Sequence, residues 1–141
     1  MKSIALLFTV ALFVVSMAVP ATMWGWNWNV YNQTKSEIQA GAQEAAGSWV
    51  RTIPVPAKGS APVQMTGGYC LAYLYIYTPN CRMQQGNKFA YWINCLGGGL
   101  VDRPDYGTGT TCCWNVDVTV EQVGENGTDG FPICRVRTGK P

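Results

Sequence analysis

The sequence predicts an α+β, β-rich domain: a single small antiparallel sheet or sandwich with one N-terminal helix, stapled by three disulfides. Three observations predict it. All six cysteines lie between Cys70 and Cys134, downstream of a stretch with the form of a secretion signal. Residues 69–137 break into short apolar runs separated by Gly, Pro and Asn turns, the pattern of strands. Residues 34–49 instead carry a helix-start motif followed by apolar residues at helical spacing.

The leader is read over residues 1–18. Lys2 supplies the positive start, and Ile4 to Val15 is an apolar run of twelve residues interrupted only by Thr9. Ser16-Met17-Ala18 places small residues three and one before a cut after Ala18, with a cut after Ala21 as the competing choice. As a helix this run spans about 18 Å, short of a hydrocarbon core of about 30 Å, so a cleaved signal is expected rather than an anchor. The expected location is secreted and extracellular, with no membrane span in the mature form. The remaining chain of about 120 residues suits one domain with a real core.

Residues 19–50 form a cysteine-free region with a Trp-rich strand and an amphipathic helix. Read as a strand, Trp24, Trp26 and Trp28 share one face, opposite Gly25, Asn27 and Asn29. Thr34-Lys35-Ser36-Glu37 has the form of a capping box, and Ile38, Ala42, Ala45, Ala46 and Trp49 follow on one helical face. Gly41 and Gly47 each weaken that helix by about 1 kcal/mol relative to Ala. No disulfide reaches this region, so packing alone is expected to hold it, and it is the part most apt to move or to meet a partner. Residues 51–63, with Pro54, Pro56, Pro62 and Gly59, read as an extended linker.

Residues 64–141 form the disulfide-bonded β-rich region. Tyr69 to Tyr77 alternates Tyr69, Leu71, Tyr73, Tyr75 and Tyr77 against Cys70, Ala72, Leu74 and Ile76, as in a central strand covered on both faces. Lys88 to Leu96 is a second strand with Phe89, Tyr91, Ile93 and Cys95 on one face, ended by Gly97-Gly98-Gly99. Thr111 to Val123 sets Trp114, Val116, Val118 and Val120 against Asn115, Asp117, Thr119 and Glu121. Residues 124–130 hold Asn-Gly and Asp-Gly turn signals, and Phe131 to Arg137 returns as the hairpin partner. Arg135 and Arg137 are then placed to meet Glu121 or Asp117.

The hairpin limits the disulfides. A turn near Gly127 sets Cys134 opposite Val120, about 27 Å along the strand from Cys112. A disulfide needs Cα atoms within about 7 Å, so Cys134 bonds neither Cys112 nor Cys113. A bond between the adjacent Cys112 and Cys113 is set aside as strained. Six connectivities survive of the fifteen that six cysteines allow, each pairing Cys112, Cys113 and Cys134 with Cys70, Cys81 and Cys95. Cys112 and Cys113 should leave the strand on opposite faces.

Chemistry is limited by the absence of histidine. Histidine-based triads, histidine-ligated catalytic zinc and histidine acid–base nucleases are excluded. Of the eight carboxylates, Asp102 with Asp105 and Asp117 with Glu121 are the only neighbouring pairs weighed for glycoside hydrolysis. Residues 125–130 lack the order of an EF-hand loop. No catalytic residue, cofactor or metal is therefore expected. Ten basic and eight acidic residues without a basic run make nucleic acid an unsuitable partner. Two sequons, Asn32-Gln33-Thr34 and Asn126-Gly127-Thr128, mark candidate glycan sites at Asn32 and Asn126. The candidate binding residues are two aromatic stripes, Trp24, Trp26 and Trp28, and Tyr73, Tyr75 and Tyr77. Such stripes more often line a core, but their spacing of about 6.7 Å along a strand suits successive sugar rings.

The expected function is that of a secreted, non-catalytic extracellular protein, a binding or structural component of an extracellular matrix with polysaccharide as the partner. A secreted effector (a defence protein, toxin or ligand) acting on a receptor or membrane is the alternative, and a small carboxylate-dependent hydrolase the second alternative.

Overall fold

Alternation with a period of two, and not helical spacing, organises the N-terminal region. The structure, a computed structural model, describes residues 25–44, 49–65, 69–104 and 111–141. The leader, its cleavage site, Trp24, Ala45, Ala46 and Asp105 lie outside the described residues. Strand β1 (Asn27–Asn32) buries Trp28, Val30 and Asn32 on alternate positions. Strand β2 (Ile38–Glu44) buries Ile38, Ala40 and Ala42 in the same way. The predicted N-terminal helix is corrected: no helix occurs among the described residues. Ile38 and Ala42 are four apart, a spacing that satisfies both a helix and a strand. Ala40, which the helical reading left unused, completes the strand.

The capping-box residues serve another end. Thr34 donates its hydroxyl to Asn32 Oδ1 at 2.6 Å, and its N–H to the same oxygen at 2.9 Å. Asn32 Nδ2 in turn faces the carbonyls of Ser36, Val55 and Pro56 at 2.8–3.1 Å. This buried amide closes the β1–β2 connection in a turn, in competition with a helix cap.

The segment read as a linker carries two strands, β3 (Trp49–Val55) and β4 (Ser60–Gln64). Proline lacks an N–H for the ladder, so it is tolerated on sheet edges. Pro54 lies in β3 and Pro62 in β4, and each strand is the outermost of its sheet. Between them Gly59 N–H donates to Pro56 O at 3.0 Å, with Lys58 at a φ of 56°. The turn moves the chain from one sheet to the other.

The remaining strands are β5 (Leu71–Tyr77), β6 (Arg82–Met83), β7 (Ala90–Asn94), β8 (Gly99–Leu100), β9 (Val116–Gly124) and β10 (Ile133–Thr138). The first sheet runs β4-β1-β9-β10-β6 and the second β3-β2-β5-β7-β8. Pairing is antiparallel except for β1 with β9 and β10 with β6. One core cluster joins the two sheets: Trp28, Val30, Val118, Val120 and Val136 come from the first, and Ile38, Ala40, Leu74, Ile76 and Ile93 from the second. The cysteine-free region is thus hydrogen-bonded into both sheets, which corrects the expectation that packing alone holds it.

Three strand details depart from the expected pattern. The β2–β5 ladder slips between Gln43 and Glu44, so Ala72 is skipped. Leu71 therefore turns into the inter-sheet core, away from the tyrosine face, as a bulge allows. Strand β9 starts at Val116, leaving Trp114 half-exposed before it and off the Val116 face. In the hairpin Cys134 faces Gln122, not Val120, because the turn centres near Thr128 and not Gly127; a one-residue register shift lies between Ile133 and Cys134.

The disulfides are Cys70–Cys113, Cys81–Cys134 and Cys95–Cys112, one of the six expected connectivities. Cys112 is buried and Cys113 exposed, so their bridges leave in different directions, as the strand period predicts. Cys112 also exchanges both backbone hydrogen bonds with Leu71 at 2.8 Å, which anchors the CC pair to the second sheet.

Candidate binding face on the second sheet

After the bulge, strand alternation turns Tyr73, Tyr75 and Tyr77 away from the core and onto the outer face of the second sheet. Neighbouring strands add to the row. Tyr75 faces Trp92 of β7, Tyr73 lies between Gln43 and Asn94, and Tyr77 lies between Gln39 and Ala90. The Tyr75 and Trp92 ring centroids are 5.0 Å apart and tilted by 51°, a favourable aromatic pair. Leu100 of β8 faces Trp92 across the next ladder. Gly41 stands opposite Tyr75 across the β2–β5 ladder.

Exposure is graded along this row. Tyr73 and Trp92 are buried at 8% and 5%, Tyr75 is half-buried, and Tyr77 is exposed at 39%. Burial, and then the nearby Tyr77 phenol, raise the Tyr75 hydroxyl pKa, so it stays a neutral donor. Gln43 is 3% exposed, and its Oε1 meets no donor among the described residues. Asn94 Oδ1 is already engaged by the N–H groups of Leu96 and Gly98, each at 2.9 Å, which shape the turn into β8. The face therefore offers aromatic surface at the Tyr77 end, and at the Tyr73 end it buries an acceptor that meets no donor among the described residues.

The outer face of the first sheet is polar. Asn29 donates to Asp117 at 3.1 Å across the parallel β1–β9 pair. Glu121 accepts from Arg135 at 2.6 Å and from Arg137 at 2.9 Å, the pairing expected from the hairpin. These bonds, Arg135 first and Arg137 second, hold the Glu121 carboxyl below its ordinary pKa. A pKa lowered on folding stabilises the protein above the unfolded value, and that contribution is lost as pH falls through the folded one. Glu121→Gln is accordingly expected to cost about 0–1 kcal/mol at pH 7. Urea unfolding of both proteins should show the gap shrinking below about pH 4; an equal gap at both pH values would refute this.

The other candidates fall elsewhere. Trp28 is fully buried between the sheets and Trp26 packs against the same core, so the described part of the tryptophan stripe faces inward. Asp102 pairs with Lys88 at 3.2 Å on the surface. Among the described residues no three His, Cys, Asp or Glu side chains are grouped to hold a metal ion. Asn32 is buried, whereas Asn126 is exposed at the β9–β10 turn. The β1–β2, β5–β6 and β9–β10 loops enclose a cleft of about 410 Å³, with Lys35, Glu37, Asn80, Gln122, Glu125 and Asn126 in its wall.

Sequence reasoning missed Trp92, Gln39 and Gln43 as members of the aromatic face. Trp92 stands on the opposite alternation from Tyr91 and Ile93, and that offset was the available signal. The helical reading of residues 38–49 hid the two glutamines. Comparison of the chain with protein-family models, with curated proteins and with solved structures found no match in any of the three.

Proposed function

We propose that this chain is a secreted, non-catalytic extracellular protein that binds polysaccharide on the outer face of its second sheet, as a component of an extracellular matrix. The observation that carries this reading is the row Tyr73, Tyr75 and Tyr77 beside Trp92, with Gln39 and Gln43 across the adjacent ladder. Tyrosines two apart on a strand are separated by about 6.7 Å, comparable to a sugar ring. The C–H face of a pyranose packs on an aromatic ring, and hydroxyls at its rim hydrogen-bond amides and phenols. Gln39, half-buried and opposite the exposed Tyr77, places an amide at the open end of the row.

Three disulfides fit an oxidising, extracellular-type compartment and support secretion. Of the two carboxylates on β9, Glu121 is held charged by two arginines, which favours a non-catalytic role. A proton donor for glycoside hydrolysis needs the reverse, a raised pKa.

Co-sedimentation of the purified protein with insoluble chitin and cellulose tests the reading. Binding to at least one is expected. Tyr77→Ala and Tyr75→Ala should each weaken it about three- to ten-fold, the worth of one aromatic contact. Trp26→Ala should leave it unchanged. Absence of co-sedimentation, or binding indifferent to Tyr77→Ala, would overturn the proposal. Saturable binding to intact cells instead would favour the effector class.

A further inference from the structure

We infer that Asn126 is the N-glycan acceptor of this chain and that the fold closes the second sequon, at Asn32. The two share the same local signal, an Asn with Thr two residues on, and differ in their surroundings. In N-glycosylation an oligosaccharide passes from a lipid pyrophosphate donor to the Asn amide. The Nδ2–C1 bond forms, the C1–O bond to the pyrophosphate breaks, and one amide proton leaves with the lipid pyrophosphate; the sugar must then reach solvent.

Asn32 meets neither requirement. Its side chain is 0% exposed, and Nδ2 divides its two N–H groups among the carbonyls of Ser36, Val55 and Pro56. Thr34, the third residue of the sequon, is 5% exposed and donates its hydroxyl to Asn32 Oδ1 at 2.6 Å, with Ser36 O the other acceptor within reach at 2.9 Å. A sugar on Asn32 would displace hydrogen bonds that tie the end of β1 to the β1–β2 connection and to the end of β3, leaving carbonyls without donors.

Asn126 meets both. It is exposed, at the turn between β9 and β10, and Thr128 beside it is exposed as well. With its amide in the orientation that satisfies both atoms, Nδ2 donates to Glu125 O at 2.7 Å and to Gly130 O at 3.2 Å. Both carbonyls belong to the same exposed turn. A glycosylated Asn keeps one N–H for one of them, and water serves the other. The adjoining loop-end cleft of about 410 Å³ gives the first sugar polar neighbours in Asn80, Gln122 and Glu125. The turn lies at the loop end of the two sheets, off the Tyr75–Trp92 face.

This inference rests on the secretion part of the reading above and not on polysaccharide binding. The test fuses residues 19–141 behind a host leader and secretes them from yeast or insect cells, so that it does not depend on the protein's own leader. Intact mass before and after endoglycosidase treatment, with peptide mapping of the deglycosylated sites, should show one glycan at Asn126. Asn126→Gln and Thr128→Ala should each abolish it while the protein is still secreted. A glycan at Asn32 in secreted, disulfide-complete protein, or a bare Asn126, would overturn the inference. Either result leaves co-sedimentation with polysaccharide to be judged separately.

Discussion

Trp28→Ala is expected to lower stability by about 3–5 kcal/mol, the cost of truncating a fully buried large aromatic side chain. Trp28 is 0% exposed at the centre of the core cluster, flanked in its sheet by Val63 of β4 and Val116 of β9. Set against a typical domain stability of about 5–15 kcal/mol, that loss brings the protein close to unfolding. Trp26→Ala should cost clearly less, because Trp26 only lines the margin of the core. Trp28→Phe is the informative partner. Trp28 Nε1 is buried with no acceptor among the described residues. Phenylalanine removes that unsatisfied donor along with some volume, and these effects oppose one another. A cost below about 1.5 kcal/mol is expected for it. Urea unfolding with the disulfides intact reads all three variants. A Trp28→Ala cost below about 1 kcal/mol, or one equal to that of Trp26→Ala, would contradict this placement of the stripe.

The second large effect concerns the Cys81–Cys134 bridge. It closes the longest loop, with a separation of 53 residues against 43 for Cys70–Cys113 and 17 for Cys95–Cys112. In the chain-entropy model these separations correspond to about 4 kcal/mol for the longest and about 3 kcal/mol for the shortest. Cys81 and Cys134 sit in the core cluster, as do Cys95 and Cys112, so both of these double-alanine variants lose packing and the longer loop sets Cys81→Ala/Cys134→Ala apart. It should be the least stable of the three double-alanine variants by equilibrium unfolding. Cys113, by contrast, is exposed. Mild reduction followed by alkylation should therefore label Cys70 and Cys113 first, since exchange requires access of a thiolate to sulfur. Early labelling of Cys81 and Cys134 would show that this bridge is not held in the core.

Several features were legible because they depend on local pattern and chain geometry. The strands β5, β7, β9 and β10 follow from period-two alternation and turn residues. The pairing of Glu121 with Arg135 and Arg137 follows from the hairpin, and even a register error of two residues preserved which face each side chain takes. The disulfide set was reduced to six for the same reason, since a rigid strand keeps Cys134 far from Cys112. The N-terminal region was not legible. Ile38 and Ala42 fit two periods at once, and Thr34 with Glu37 mimics a cap while Thr34 is committed to Asn32. Prolines at 54 and 62 signalled a linker because edge position, which tolerates them, is a property of the assembled sheet.

By itself the sequence determined the β-rich class, the cysteine framework and two aromatic stripes of the same local form. Only the tertiary structure decided which way each stripe faces. Strand β1 found its partner in β9, 88 residues along the chain, and that pairing set Trp28 between two sheets. A bulge at Ala72 turned Tyr73, Tyr75 and Tyr77 to the outside. The alternation of a strand separates its two faces, but which face becomes interior depends on the elements that cover it. Those elements come from remote parts of the chain. The same holds for Asn32 and Asn126: one motif in sequence is a buried clasp in one place and an open turn in the other.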